Sequence, residues 1–365
     1  MFIKKYIDLK GATILMEKKL PIIQHNKVTT YLNFSLPLCA LGKNNYEWFM
    51  EHFSNIYSMR SSDEYLWLDY HEDLYFPNDV FDYSFMNTNE AAKISSFEDY
   101  IISSIDSGNY IIIFVDSYFV NGNENYQKVH IPLQLFIYGY SLFDRVLYSI
   151  GFDENHRFKD ISYKLDEVNY AACFLLNNLE NTEYWVKSYF IISIKEKNDR
   201  EDYRFDADKA IEKISDYVYS IPGKQSLRPE IIFERGDVAL YGIKAQEEVL
   251  NSLKLMEAGR ITMDYRFIHL IAEHKKLMNE KIFAIAERKG LLETMSGELE
   301  EYSVIARWGE KIRLKYIKNV LAENNMKSIF GTISNLKVIC DISRDFANFH
   351  EREERTLQNV LKYFM

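Results

Sequence analysis

Residues 110–152, YIIIFVDSYFVNGNENYQKVHIPLQLFIYGYSLFDRVLYSIGF, decide how the fold is read. β-Branched and aromatic residues crowd 110–120, and a run of that kind reads as a buried strand. NGNEN at 121–125 is a turn. LQLFIYGY at 133–140 is a second strand, and RVLYSIGF at 145–152 is a third, after the short loop SLFD.

Upstream, SFEDYIISSIDSGN at 96–109 reads as a helix with Ser96 as N-cap and Gly108–Asn109 as the stop. Residues 62–100 are aromatic and acidic with weak periodicity, and short irregular elements are expected there. In 34–60 an apolar start, FSLPLCALG, gives way to a helical pattern. Trp48, Phe49, His52, Phe53 and Ile56 share one face of it. Residues 1–30 read as short extended pieces. Downstream, ISYKLDEVNYAACFLLNN holds one more extended piece and an apolar run, and 183–197 holds another strand.

From 206 the pattern turns helical. DADKAIEKISDYVYSI is an amphipathic helix capped by Asp206 or Asp208 and ended by Pro222–Gly223. Four more helical segments follow, with Gly259, Gly290 and Gly331 at the breaks. The expected architecture is α+β. A helix-plus-antiparallel-sheet module occupies 1–204, and an antiparallel helical bundle occupies 205–365. The boundary is soft, because no Pro/Gly/Ser linker marks it.

The 365 residues suffice for two domains or for one domain with a large appendage, and 47% hydrophobic residues supply a sizeable core. A net charge of −10 argues against a nucleic-acid partner. The best basic stretch, RWGEKIRLKYIK at 307–318, has helical spacing. It reads as a solvated face or as a dock for an acidic protein. The longest apolar run, YIIIFV, is too short to span a bilayer, and the first residues lack a signal-peptide pattern. No membrane association and a cytoplasmic location are expected. Cys39, Cys173 and Cys340 are odd in number and widely spaced, which fits a reducing compartment and no zinc site.

Several common site patterns are missing. There is no P-loop, GxGxxG or GxSxG. His269 and His274 are not spaced as HExxH. The carboxylates of HEDLYFPND at 71–79 fit no EF-hand. A cysteine centre is better supported. A cysteine nucleophile needs a site that stabilises its thiolate, an imidazole to take its proton, and a group to fix the imidazole tautomer. Cys39 lies at or near the first amphipathic helix, two residues after Pro37, and His130 lies at the start of a central strand. Asp153, in GFDENH, is an acid on the neighbouring strand. Each residue has a structural alternative. Cys39 can be a small buried hydrophobe, His130 a structural histidine, and Asp153 a turn residue.

Three stretches resemble one known family, the proteins similar to butirosin biosynthesis protein H. They are LNFSLPLCALGKNNYEWFMEHFSNIY, the 110–152 region with its His-x-Pro element at His130, and VALYGIKAQEEVLNSL followed by DYRFIHLIAEHKKLMNEKI. The resemblance spans about 30–365. It implies a papain-like, C39-peptidase-like fold from bacterial natural-product gene clusters. It also implies acyl transfer from a carrier-protein thioester to an amine, forming an amide. The phosphopantetheine would arrive on an acyl or peptidyl carrier protein, with no bound cofactor and no metal. In that scheme Cys39 is the nucleophile, His130 the general base, and Asp153 or Gln134 the orienting group. The family's cysteine would fall near 31–35, where this chain has none, and its acid near Gly151. Two readings therefore stand beside cysteine-dependent acyl transfer. One is a degenerate relative that binds an intermediate or a carrier protein, and the other is a thioesterase or peptidase.

Overall fold

A computed structural model describes residues 6–9, 12–24, 27–60, 66–71, 79–154, 157–180, 182–197, 203–222, 239–321 and 336–364. The expected stop at Gly223, the break at Gly331 and most of HEDLYFPND lie outside them. The chain is mixed α+β, with antiparallel sheets and C-terminal helices. It divides into two units. One comprises Met1–Asn45 and Leu74–Asp202, the other Tyr46–Asp73 and Tyr203–Met365. The sheet-to-helix switch near 203 therefore separates the units only in part, because 46–73 belongs with the helical segments.

The first unit begins with a hairpin of β1 (Tyr6–Leu9) and β2 (Ala12–Leu15), followed by β3 (Glu17–Lys19) and helix α1 (Leu32–Cys39). Its main sheet is antiparallel. It contains β6 (Phe81–Met86), β7 (Tyr110–Asp116), β8 (Pro132–Ser141), β9 (Val146–Phe152), β10 (Phe158–Lys164) and β11 (Ile191–Glu196), in the order β10-β9-β8-β7-β11-β6. β3 adds to β8 where Gly139 sits opposite Lys19. A Cβ at 139 would run into the Lys18 carbonyl, so this close approach needs glycine.

Between strands lie α3 (Thr88–Ala91), α4 (Phe97–Asp106), α5 (Leu165–Asn177) and α6 (Tyr184–Ser188). Ser96 caps α4, its hydroxyl accepting from the Asp99 N–H at 3.1 Å. Period-2 alternation sets the sheet's two faces. Ile111, Ile113 and Val115 of β7 join Leu135 and Ile137 of β8 in an apolar cluster with Phe97, Ile101 and Ile105 of α4 and Val168, Ala172 and Leu175 of α5. Helix α1 packs on β8 and β9, yet none of its buried side chains belongs to that cluster.

In the second unit, α2 (Tyr46–His52) ends four residues before the expected helical stripe runs out. Ile56 instead opens β4 (Ile56–Arg60), which pairs with β5 (Leu66–Tyr70) and β12 (Ala239–Tyr241). Backbone pairing on both sides of β4 overrides the helical spacing there. The helices are α7 (Ala207–Val218), α8 (Ala245–Glu257), α9 (Tyr265–Arg288), α10 (Ser296–Tyr316) and α11 (Leu336–Phe364). Asp206, not Asp208, caps α7. α9 packs on α10, α10 on α11, and α11 on α8.

Candidate functional site

The described geometry does not assemble the expected cysteine centre. Cys39 is the last residue of α1 and has no exposed surface. Its Sγ lies 3.1 Å from the Ser35 carbonyl oxygen, to which the thiol donates one turn back within its own helix. The position is at the C-terminal end of the helix, where the dipole disfavours a thiolate. Pro37 sits inside the last turn of α1 rather than at its start.

His130 lies in the segment that leads into β8. The described contacts of its ring are with Asp116, Tyr118, Phe119 and Phe174, and Cys39 is not among them. Phe174 belongs to α5, so the imidazole packs against that helix. Asp153 does not orient it either. That carboxylate accepts from the Arg157 N–H at 2.9 Å and pairs with Lys159 Nζ at 2.8 Å, which fastens the β9–β10 connection. Gln134 stands half-buried on β8 across from Phe114.

What the fold does assemble is a histidine–aspartate pair. β7 and β8 pair as far as Asp116 opposite Pro132, and the Ser117 N–H continues the ladder to the Ile131 carbonyl at 3.0 Å. This brings the loop back beside its own start. Asn123, buried, donates to the Ser117 carbonyl at 3.0 Å and accepts from the Asn125 N–H at 2.8 Å. Gly122 supplies the left-handed turn with φ +97°. His130 Nδ1 then lies 2.8 Å from Asp116 Oδ2, and the other oxygen, Oδ1, accepts from the Tyr118 N–H at 2.9 Å.

The pair is asymmetric in exposure. The Asp116 side chain is 5% exposed and that of His130 53%. Rings fix the imidazole plane. Tyr118 stacks on it at 4.3 Å and 13°, Phe174 at 5.4 Å and 22°, and Phe119 meets it edge-on at 5.6 Å. Tyr170 and Phe174 are one turn apart on α5, and both pack on Phe119. Tyr170, Val129 and Ile131 are exposed, so the dyad sits within an apolar, aromatic surface. In a neutral imidazole an Nδ1–H bond to a carboxylate leaves the lone pair on Nε2. No described group of the protein hydrogen-bonds that nitrogen.

Other clusters are internally satisfied. His269 pairs with Glu273 at 3.1 Å, and His274 is sealed inside the helical unit. The basic stretch of α10 borders an open groove of about 440 Å³ beside Lys276 and Lys311. Most of its cations are matched. Arg307 pairs with Glu300, Lys276 and Arg313 with Glu310, and Lys315 with Asp345. The Arg313 hydrogen bond comes first among the causes that hold Glu310 down at about 2.

A scan against family models and a search of curated proteins both return no match for this chain.

Asp116 was not singled out from the sequence. Its signal was present: a lone carboxylate closing an otherwise apolar strand, across the turn from the histidine that opens the next. The ring partners on α5 had no such signal, because their segment read only as an apolar run.

Proposed function

We propose that this chain is a papain-like scaffold of natural-product biosynthesis, and that it holds an acylated intermediate on a carrier protein at the His130–Asp116 surface without using Cys39 as a nucleophile. One observation carries the reading: the Cys39 thiol is fully buried and donates to the Ser35 carbonyl within its own helix, and the described contacts of the His130 ring do not include it. A fully buried thiol at a helix C-terminus offers no approach for an acyl group.

The helix-then-antiparallel-sheet order, with a histidine opening a central strand, supports the scaffold. The apolar rim around His130 supports the ligand class, since an acyl chain gains by covering Tyr118, Phe119 and Tyr170. The open Nε2 offers one directional contact to a carbonyl, amine or hydroxyl.

An acetyl-loaded acyl carrier protein tests this directly. Titration should give saturable binding that Tyr118→Ala and His130→Ala each weaken by about 10-fold or more, as expected for truncating a central ring in a small interface. Intact-mass analysis of the mixture should show no acetyl adduct on this chain. An adduct that disappears in Cys39→Ala would overturn the reading in favour of cysteine-dependent transfer. Absence of any binding would remove the proposed ligand class.

A further inference from the structure

We propose that the face shared by α9 and α10 docks an acidic amphipathic helix of a partner protein. The surface belongs to the helical unit and is independent of the reading of His130, so either can fail alone.

The two helices run antiparallel. The Ser303 hydroxyl donates to Asn279 Oδ1 at 3.1 Å, and the Arg313 guanidinium donates to His269 Nδ1 at 3.4 Å, ten residues on along α10 and ten back along α9. Along this seam lies the open groove of about 440 Å³. Its lining carries three cations, Lys276, Arg307 and Lys311, against one carboxylate, Glu310. Glu310 is fully engaged. Its Oε1 accepts from Arg313 Nη2 at 2.6 Å, and its Oε2 accepts from Arg313 Nε and Lys276 Nζ, both at 3.0 Å. Arg307 pairs with Glu300 at 3.1 Å, and both side chains are mostly exposed, so the pair is weak in water and exchangeable. Lys311 is exposed, and among the described residues no carboxylate pairs with it. The groove therefore presents donors and positive charge, and what it lacks is an acceptor.

Charge alone would suit any anion. The apolar ends of the face select a helix. Phe283 follows Lys276 by seven residues on α9, and Leu314 follows Arg307 by seven on α10. Seven residues make about two turns, so each lies on the stripe of its groove residue. Both are exposed. Singly, an exposed apolar side chain is ordinary. These two flank the groove at opposite ends. By the pairing of Asn279 with Ser303, Leu314 stands level with about residue 268, so ~15 residues of helix, or ~22 Å, separate it from Phe283. A free anion would leave both side chains in water. A partner helix of about four turns covers both, and it sets carboxylates against Lys276, Arg307 and Lys311 in between. The basic stretch at 307–318 then serves as a dock and not only as a solvated face.

The experiment uses the full chain and a fluorescein-labelled helical peptide of alanine and glutamine, about 20 residues long, with a leucine near each end and glutamates between them on the same stripe. Fluorescence anisotropy should show saturable binding. The same peptide with glutamine for each glutamate should bind at least about 10-fold more weakly. Lys311→Glu and Leu314→Ala should each weaken binding of the acidic peptide by about 10-fold or more, the first through charge reversal and the second through lost apolar contact. Both side chains are exposed, so both variants should keep the wild-type urea midpoint, and a loss of binding is then a loss of the surface. If the acidic peptide does not saturate, or binds both variants as it binds wild type, the dock is refuted. If the glutamine peptide binds equally well, the face reads apolar surface alone and the acidic partner is refuted. If sedimentation shows the chain by itself as a dimer that Leu314→Ala dissolves, the face belongs to a second copy and the partner helix is refuted.

Discussion

His130 in the sheet unit and His274 in the helical unit each use one ring nitrogen to hold a fixed partner, and they differ in what becomes of the other. His274 Nε2 donates to the Ser54 carbonyl at 2.7 Å, and its Nδ1 accepts from Lys275 Nζ at 3.1 Å. Lys275 also donates to Tyr217 at 2.7 Å and pairs with Glu353 at 2.7 Å. Glu353 accepts in addition from Tyr302 at 2.8 Å and from Gln246 at 2.9 Å. All of these side chains are sealed from solvent. Burial pushes His274 well down and Tyr217 and Tyr302 well up, so the ring stays neutral and the phenols stay protonated. His130 has a described hydrogen-bond partner on one nitrogen only, and its side chain is half-exposed. The contrast separates two uses of ionisable side chains. Where the ionisable groups are paired and dry, the cluster specifies packing. Where one valence is left at the surface, the cluster is available to a ligand.

The comparison is tested most strongly in the interior. Lys275→Met leaves Glu353 buried without its cation and should cost about 3–5 kcal/mol in urea unfolding. Lys275→Met combined with Glu353→Leu should recover at least half of that loss, because the uncompensated charge is gone. A single mutant that unfolds like wild type would show that the helical interior is not a matched ionic cluster.

Acid should weaken the helical unit by a smaller amount. Burial holds His52 at about 3 and His71 at about 4. Both therefore remain neutral when folded and take up a proton when unfolded. The stability they contribute is present above the unfolded value of about 6.5 and is lost as pH falls from there toward 4 and then 3. At about pH 5 each histidine should account for about 1–2 kcal/mol, read as a lower urea midpoint than at about pH 7.5. His52→Gln should flatten that dependence. A midpoint that does not move between those pH values would contradict buried neutral rings.

The smallest stability effect should be at the site itself. His130→Ala removes a half-exposed ring and should cost about 1 kcal/mol or less, since Asp116 keeps its bond from the Tyr118 N–H. A loss as large as that for Lys275→Met would make His130 a structural residue and erase the difference between the two clusters.

Local signals accounted for much of the fold. β7, β8 and β9 follow from β-branched runs separated by a turn and a short loop, and the Ser96 cap follows from a hydroxyl three residues before the amide it bonds. Helix α5 carries a helical signal within its own sequence. Leu165, Val168, Ala172 and Leu175 keep helical spacing inside what read as a plain apolar run. The α2–β4 junction was not legible in the same way, because only pairing with β5 and β12 ends the helical pattern before Ile56.

By itself the sequence determined the classes of element, the change from sheet to helix near 203, and His130 at the opening of a central strand. These depend on periodicity, caps and turns, which act over a few neighbouring residues. Only the tertiary structure decided which groups meet. It buried Cys39 at the end of its own helix, away from the described contacts of His130, and it placed Asp116 beside a histidine that follows it after a long loop. It also drew 46–73 into the helical unit. The reason is that strand register and the choice of face are set by which apolar surfaces can be buried together. That is a property of the whole packed chain and not of any short stretch of it.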